Sequence, residues 1–169
     1  MLAACGCCVL LTSCSVFANP PPCNVQPDSK DERQGNAGCL ISSDGKLLVI
    51  DHIASGRLGL PGGTALSGEA GQCTAHRETW EETGLSVVVG PFRARLSTDF
   101  LVYDCAPEQI VSSAVAPTRP VRALSEVSGL RWVDVAELEP ADWRFPEQLH
   151  EVRALMSGGP LPDSVLEKP

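Results

Sequence analysis

Gly63-Thr64-Ala65-Leu66-Ser67-Gly68-Glu69-Ala70-Gly71-Gln72-Cys73-Thr74-Ala75-His76-Arg77-Glu78-Thr79-Trp80-Glu81-Glu82-Thr83-Gly84-Leu85 is the stretch on which the reading of this chain turns. Its second half predicts a helix from about Gly71 to Thr83, stopped by Gly84 at a left-handed C′ position. On that helix Glu78, Glu81 and Glu82 share one face, because residues three and four apart lie above one another. Each like-charge pair costs about a few tenths of a kcal/mol, so the clustering asks for a partner. Arg77, four residues before Glu81, neutralises part of it. A divalent cation with oxygen ligands would neutralise the rest, and Mg²⁺ commonly takes carboxylates together with substrate phosphate oxygens. Gly62 and Gly63 let the backbone come close, so a glycine carbonyl can act as a further hard ligand. The competing reading is a surface helix of solvated glutamates. The frame argues against it: a glycine turn before, Glu69 eight residues ahead of Arg77, and a glycine stop after. Trp80 points off the carboxylate face and reads first as core, second as a wall of the substrate cleft.

Around this stretch the chain alternates short apolar runs with turns. Cys39-Leu40-Ile41 and Leu47-Leu48-Val49-Ile50, separated by Ser42-Ser43-Asp44-Gly45, predict a hairpin. Gly59-Leu60-Pro61-Gly62-Gly63 ends a further short strand. Val87-Val88-Val89, Phe100-Leu101-Val102-Tyr103 and Leu130-Arg131-Trp132-Val133 read as strands, and Pro146 to Met156 as a closing helix. Helices mixed with short strands give an α/β or α+β sandwich. Asp99-Phe100 and Trp143-Arg144-Phe145 are candidates for shaping a specificity pocket, since an aromatic plane stacks on a base; packing is the competing role.

The 169 residues carry 13 Lys+Arg against 21 Asp+Glu, a net charge of −8. That length is one domain, and the acidic balance excludes a binder of nucleic-acid backbones, which needs clustered Lys and Arg. A small phosphorylated substrate stays compatible if a metal ion supplies positive charge. Met1 to Pro27 contains no charged side chain. Residues 1–18 read as an export leader, cleaved after Ala18 or, if Leu11-Thr12-Ser13-Cys14 acts as a lipobox, lipidated at Cys14 as a membrane tether. No Lys or Arg precedes its apolar run, and the alternative is a buried N-terminal helix in a cytoplasmic protein. Residues 19–36, with Pro20, Pro21, Pro22 and Pro27, read as a proline-rich tether. The domain then spans 37–158, and 159–169 form a tail. Cys23, Cys39, Cys73 and Cys105 follow the leader and allow three pairings in an oxidising, periplasmic compartment. Scattered His52, His76 and His150, with no Cys-x-x-Cys, disfavour zinc.

The quoted stretch resembles the Nudix box. Gly63, Glu69, Arg77, Glu78, Glu81, Glu82, Gly84 and Leu85 match its fixed positions, and Thr79 departs from it where an aliphatic residue stands. The resemblance implies a Nudix fold, a mixed sheet sandwiched between helices, and hydrolysis of a nucleoside diphosphate linked to another group. It implies Mg²⁺, with Mn²⁺ as substitute, held by Glu78, Glu81, Glu82 and the Gly62 carbonyl. Arg77 would orient the glutamates, and Glu69 would anchor the loop by pairing with the helix. Water would attack one phosphorus of the bridge, with Glu81 or Glu82 as general base, or an outside carboxylate, Glu126 first and Glu108 second. Cys73 to Glu82 also resembles exported bacterial members, some fused to a membrane phosphatase. Two other classes compete: a ligand-sensing domain that has lost catalysis, and a prenyl-diphosphate isomerase. The complete set of box carboxylates argues against the first, and the short chain without a catalytic Cys beside an acid motif against the second.

Overall fold

In a computed structural model of the protein, residues 19–109, 123 and 125–159 are described. The leader expected over 1–18, with Cys14, and the tail beyond Gly159 lie outside them. The strands are β1 (Ala37–Leu40), β2 (Ser42–Ser43), β3 (Lys46–His52), β4 (Arg57–Gly59), β5 (Gly62–Gly63), β6 (Val87–Arg95), β7 (Leu101–Pro107) and β8 (Val127–Val133). The helices are α1 (Gly71–Thr83) and α2 (Leu149–Ser157). One mixed sheet runs β5-β1-β7-β6, with β1 parallel to β7. The other joins β2, β3, β4 and β8 in antiparallel pairs.

Side chains on neighbouring strand residues point to opposite faces, and both faces of the mixed sheet are covered. Cys39, Leu101, Tyr103 and Val89 pack with Ala75 of α1. Leu40, Val102 and Ala94 pack on the other side with Leu149, Val152 and Leu155 of α2. Such double coverage explains why Ala37 to Leu40 is buried at every position. The fold is the mixed α+β arrangement that the strand and helix pattern implies.

Two local expectations are corrected. The hairpin is shorter than Cys39 to Ile50: Ser42 and Ser43 pair with Leu47 and Lys46, while β1 belongs to the other sheet. The chain crosses between sheets at Ile41, whose carbonyl still accepts from Leu48 N–H at 2.9 Å. The closing helix begins with a 3-10 turn over Pro146–Gln148 and becomes α-helical at Leu149.

The stretch 19–36 is a docked arm rather than a free tether. A Cys23–Cys73 disulfide staples it to α1, while Cys39–Cys105 links β1 to β7. Val25 bridges Val89 and Gln34 bridges Ala70. Gln72, buried at the start of α1, accepts from Asp31 N–H and donates to the carbonyls of Ser29 and Gly90. The Arg33 guanidinium lies 3.8 Å over the Phe92 ring. Pro27 opens a 3-10 turn over Pro27–Ser29 within the arm, and these distant partners fix where it lies.

Candidate active site

The helix α1 forms where the spacing predicts, and Gly84 closes it with φ 75° and an N–H bonded to the Trp80 carbonyl. Its first turn has no side-chain cap; instead the docked arm supplies the Arg33 carbonyl to Gly71 N–H at 2.7 Å. The loop before it, carrying Glu69, is tied to the arm where Ala65 N–H donates to Asn36 Oδ1 at 3.2 Å.

Arg77 is the hub of the acidic face. Its guanidinium grips both Glu69 oxygens at 2.9 and 2.8 Å, Glu78 at 2.7 Å, Glu81 at 3.3 Å and the Thr64 carbonyl at 2.9 Å. Glu69 also accepts from Leu66 N–H and Thr74 Oγ1, each at 3.0 Å. Chiefly through the Arg77 hydrogen bonds, its carboxyl is held down to about 2. A planar fork facing a carboxylate in two places is geometrically specific, so Arg77 fixes the loop to the helix.

Glycine at 62 and 63 is a steric requirement. A Cβ on Gly62 would lie 2.4 Å from Gly38 Cα, and one on Gly63 would lie 2.5 Å from the Glu78 carboxyl. Gly62 N–H donates to Glu82 Oε2 at 2.8 Å. Glu82 is only 5% exposed, and burial, aided by the charges of Glu78 and Glu126, pushes its carboxyl up to about 8. Burial raises Glu78 as well.

Glu78, Glu81, Glu82, Gly62 and Gly63 line one cavity of about 490 Å³ together with Glu126 and Arg144. The carboxylates do not converge on a single point as the helical spacing had implied. Among the described residues no cluster of three His, Cys, Asp or Glu side chains is gathered in metal-holding geometry. The physical reason is visible in the partners: Arg77 draws Glu78 and Glu81 toward the loop, while the glycine N–H holds Glu82. The donor set nonetheless fits a divalent cation. Four carboxylates border one space, two of them resist ionisation there, and hard oxygen donors suit Mg²⁺.

Of the outside carboxylates, Glu126 borders this cavity. Glu108 does not: it follows β7 and accepts from Asn24 Nδ2 at 2.6 Å, beside the arm. Trp80 is buried and lines neither this cavity nor its neighbour. Phe100, Trp143, Arg144 and Phe145 do line the adjoining slot, with His52 and Gln148, whereas Asp99 turns away to pair with Arg95. Phe100 is held by its loop: Ser97 N–H and Oγ donate to the fully buried Glu151 of α2. His52 went unassigned in the sequence. It sits ten residues before Gly62 in no motif, and only the β3–β4 turn brings it to the site.

Comparison with known proteins bears on the family and the fold. A model of the NUDIX domain matches residues 32–153. Phosphatase NudJ of Escherichia coli K12 is 30% identical over 129 residues, covering 71% of this chain and 81% of that one. A MutT-like protein of Streptomyces ambofaciens is 29% identical over 115 residues, 60% of this chain and 75% of its own. The crystal structure of an ADP-ribose pyrophosphatase from Streptococcus suis superposes with a TM-score of 0.54 at 14% identity, covering 73% of this chain and 89% of that one. With Gly63, Glu78, Glu81 and Glu82 of the box lining one cavity and the domain match spanning most of the length, the chain belongs to the Nudix family of hydrolases.

Proposed function

We propose that the protein is a Mg²⁺-dependent pyrophosphohydrolase that cleaves a nucleoside diphosphate linked to another moiety, by attack of water at a phosphorus of the bridge. The observation that carries this reading is the shared cavity, in which an Arg77-tethered acidic face meets the Gly62-Gly63 turn. Glu78, Glu81, Glu82 and the Gly62 carbonyl would hold the cation. When bound, it would supply positive charge to offset the negative charge that builds on the phosphate oxygens beside an otherwise acidic wall.

The remaining work falls to the chain's own groups. Arg77 keeps Glu78 and Glu81 oriented and ties them to the Glu69 loop. Among the candidate bases Glu81 has the most accessible carboxylate of the Arg77 group, with a side chain 40% exposed, so it can take a proton from water within the cavity. Glu126, which lines the same cavity, is the second candidate. Glu82, buried and tied to Gly62 N–H, suits holding better than proton exchange. The protein needs no covalent nucleophile for such a reaction.

The expected compartment is extracytoplasmic, with the segment 1–18 as leader and Cys14 as an optional lipid anchor. Two disulfides in one small domain support that reading, since such bonds persist in oxidising surroundings. Dinucleotides, nucleotide sugars or lipid diphosphates are then the substrates to try, and fractionation checks the compartment: uncleaved protein in the cytosol would remove it. A panel of such compounds, with Mg²⁺ and with chelator, tests the activity. Glu81→Gln and Glu82→Gln are each expected to lower kcat about a hundredfold, by analogy with removal of one transition-state stabiliser. Unchanged turnover in both variants overturns the assignment, and binding without turnover in the wild type favours the sensor reading.

A further inference from the structure

Arg144 stands apart from most arginines around it. Arg33, Arg77, Arg93, Arg95 and Arg131 are each paired with a carboxylate. Arg153 is spent on the carbonyls of Val135 and Leu138. For Arg144 no carboxylate pair occurs among the described residues. Its guanidinium has one long contact, 3.4 Å to His52 Nδ1, and lies 5.2 Å over the exposed Phe145 ring. The main chain beneath is fixed: Arg144 N–H donates to the Leu58 carbonyl at 2.8 Å, and Trp143, 1% exposed, anchors the neighbouring position.

Its location is the second observation. Arg144 lines both the acidic cavity and the aromatic slot beside it, at the boundary the two share with His52 and Gly62. Among the described residues it is the charged cation lining a cavity bordered by four carboxylates, and its charge is felt at Glu82. His52, 8% exposed, is held near 4 by burial and by Arg144 itself, so it is neutral at ordinary pH. A neutral neighbour adds no competing charge, and with its proton on Nε2 its Nδ1 accepts one Arg144 hydrogen and leaves the guanidinium's other donors to a ligand. The slot itself is small, about 40 Å³, and Phe100, Trp143 and Phe145 are among the side chains that line it.

We propose that Arg144 is a substrate-positioning residue that clamps the phosphate lying away from the Glu78-Glu81-Glu82 face, the half of the diphosphate nearer the aromatic slot. The fork of a guanidinium matches two phosphate oxygens at once. Set against a wall of carboxylates, it orients an anionic chain with one phosphate toward the acidic face and the other toward Phe145. This rests on the hydrolase reading above and deepens it by naming the group that sets the direction of the substrate.

The test is binding of adenosine 5′-(α,β-methylene)diphosphate, a diphosphate that cannot be cleaved at its bridge, by calorimetry in Mg²⁺ with the full protein. Charge-assisted hydrogen bonds are worth about 1.5–3 kcal/mol, so Arg144→Gln is expected to weaken Kd roughly tenfold to hundredfold. Arg144→Lys is expected to recover part of the loss. On any substrate the panel reveals, Arg144→Gln raises KM more than it lowers kcat, the signature of a ground-state contact. An unchanged Kd in Arg144→Gln, an equal loss in Arg144→Lys, or failure of the wild type to bind the probe overturns the clamp. Because the probe is read without turnover, the clamp fails separately from the hydrolase reading, which the substrate panel alone decides.

Discussion

Replacing Glu82 by Gln should stabilise the metal-free protein while removing its activity. The carboxyl is 5% exposed, and its ordinary value of 4.5 rises to about 8 in the fold. A raised acid binds its proton more tightly folded than unfolded. The contribution of Glu82 to stability is therefore fullest below pH 4.5 and is lost as pH rises through 8. At 1.36 kcal/mol for each tenfold difference in proton affinity, ionised Glu82 costs on the order of 4 kcal/mol at pH 8. Glutamine keeps the oxygen that accepts from Gly62 N–H, but buries an amide NH₂ at a cost of about 1–3 kcal/mol. The net expectation is a gain of about 1–3 kcal/mol at pH 8, or roughly 5 °C in Tm for a domain of this size. The assay is thermal unfolding by circular dichroism in chelator at pH 5 and pH 8, for wild type and Glu82→Gln. Wild type should lose more stability than the variant between those two values. Adding Mg²⁺ should then raise Tm in wild type and much less in the variant. Equal pH dependence in the two proteins would refute the claim that burial, and not the chain elsewhere, sets the cost of this charge.

Other expectations follow from single contacts. Thr79 is fully buried with a hydroxyl that has no hydrogen-bond partner among the described residues, so Thr79→Val, of nearly the same shape, should add about 1 kcal/mol; a lower denaturant midpoint would sink this. Glu69, held down to about 2 by Arg77, contributes stability above pH 4.5 that is lost as pH falls toward 2. Glu69→Gln should cost about 2 kcal/mol at pH 7 and flatten urea-unfolding stability across that acid window. Reduction of Cys23–Cys73 and Cys39–Cys105, which close separations of 50 and 66 residues, should remove up to about 4 kcal/mol each on the chain-entropy view. An unaltered Tm in dithiothreitol would contradict it.

What the sequence made legible was mostly local. The limits of α1 are readable because Gly84 alone supplies the left-handed stop and the glycine turn precedes. The common face of Glu78, Glu81 and Glu82 is readable because helical periodicity dictates it. Their separate tethering was not, since Gly62 N–H reaches Glu82 across twenty positions. Pairing of β1 with β7 joins Ala37 to Leu101, a separation no local pattern encodes. His52 and Arg144 meet only because Leu58 bridges Trp143. The proline-rich arm has the composition of a linker, and what docks it is a set of remote acceptors and one remote sulfur.

That arm changes where the folding unit starts. A protein shortened to begin at the first strand, Ala37, would keep every box residue. It would nonetheless strip Gly71 of its carbonyl acceptor and Gln72 of its Asp31 and Ser29 partners. It would also strand the Tyr103 hydroxyl, which donates to Asp31. The helix bearing the acidic face would then fray from its leading end. Trimming by strand boundaries therefore yields a chain with an intact signature and an unanchored platform beneath it. A minimal active version has to retain the residues from Cys23 onward.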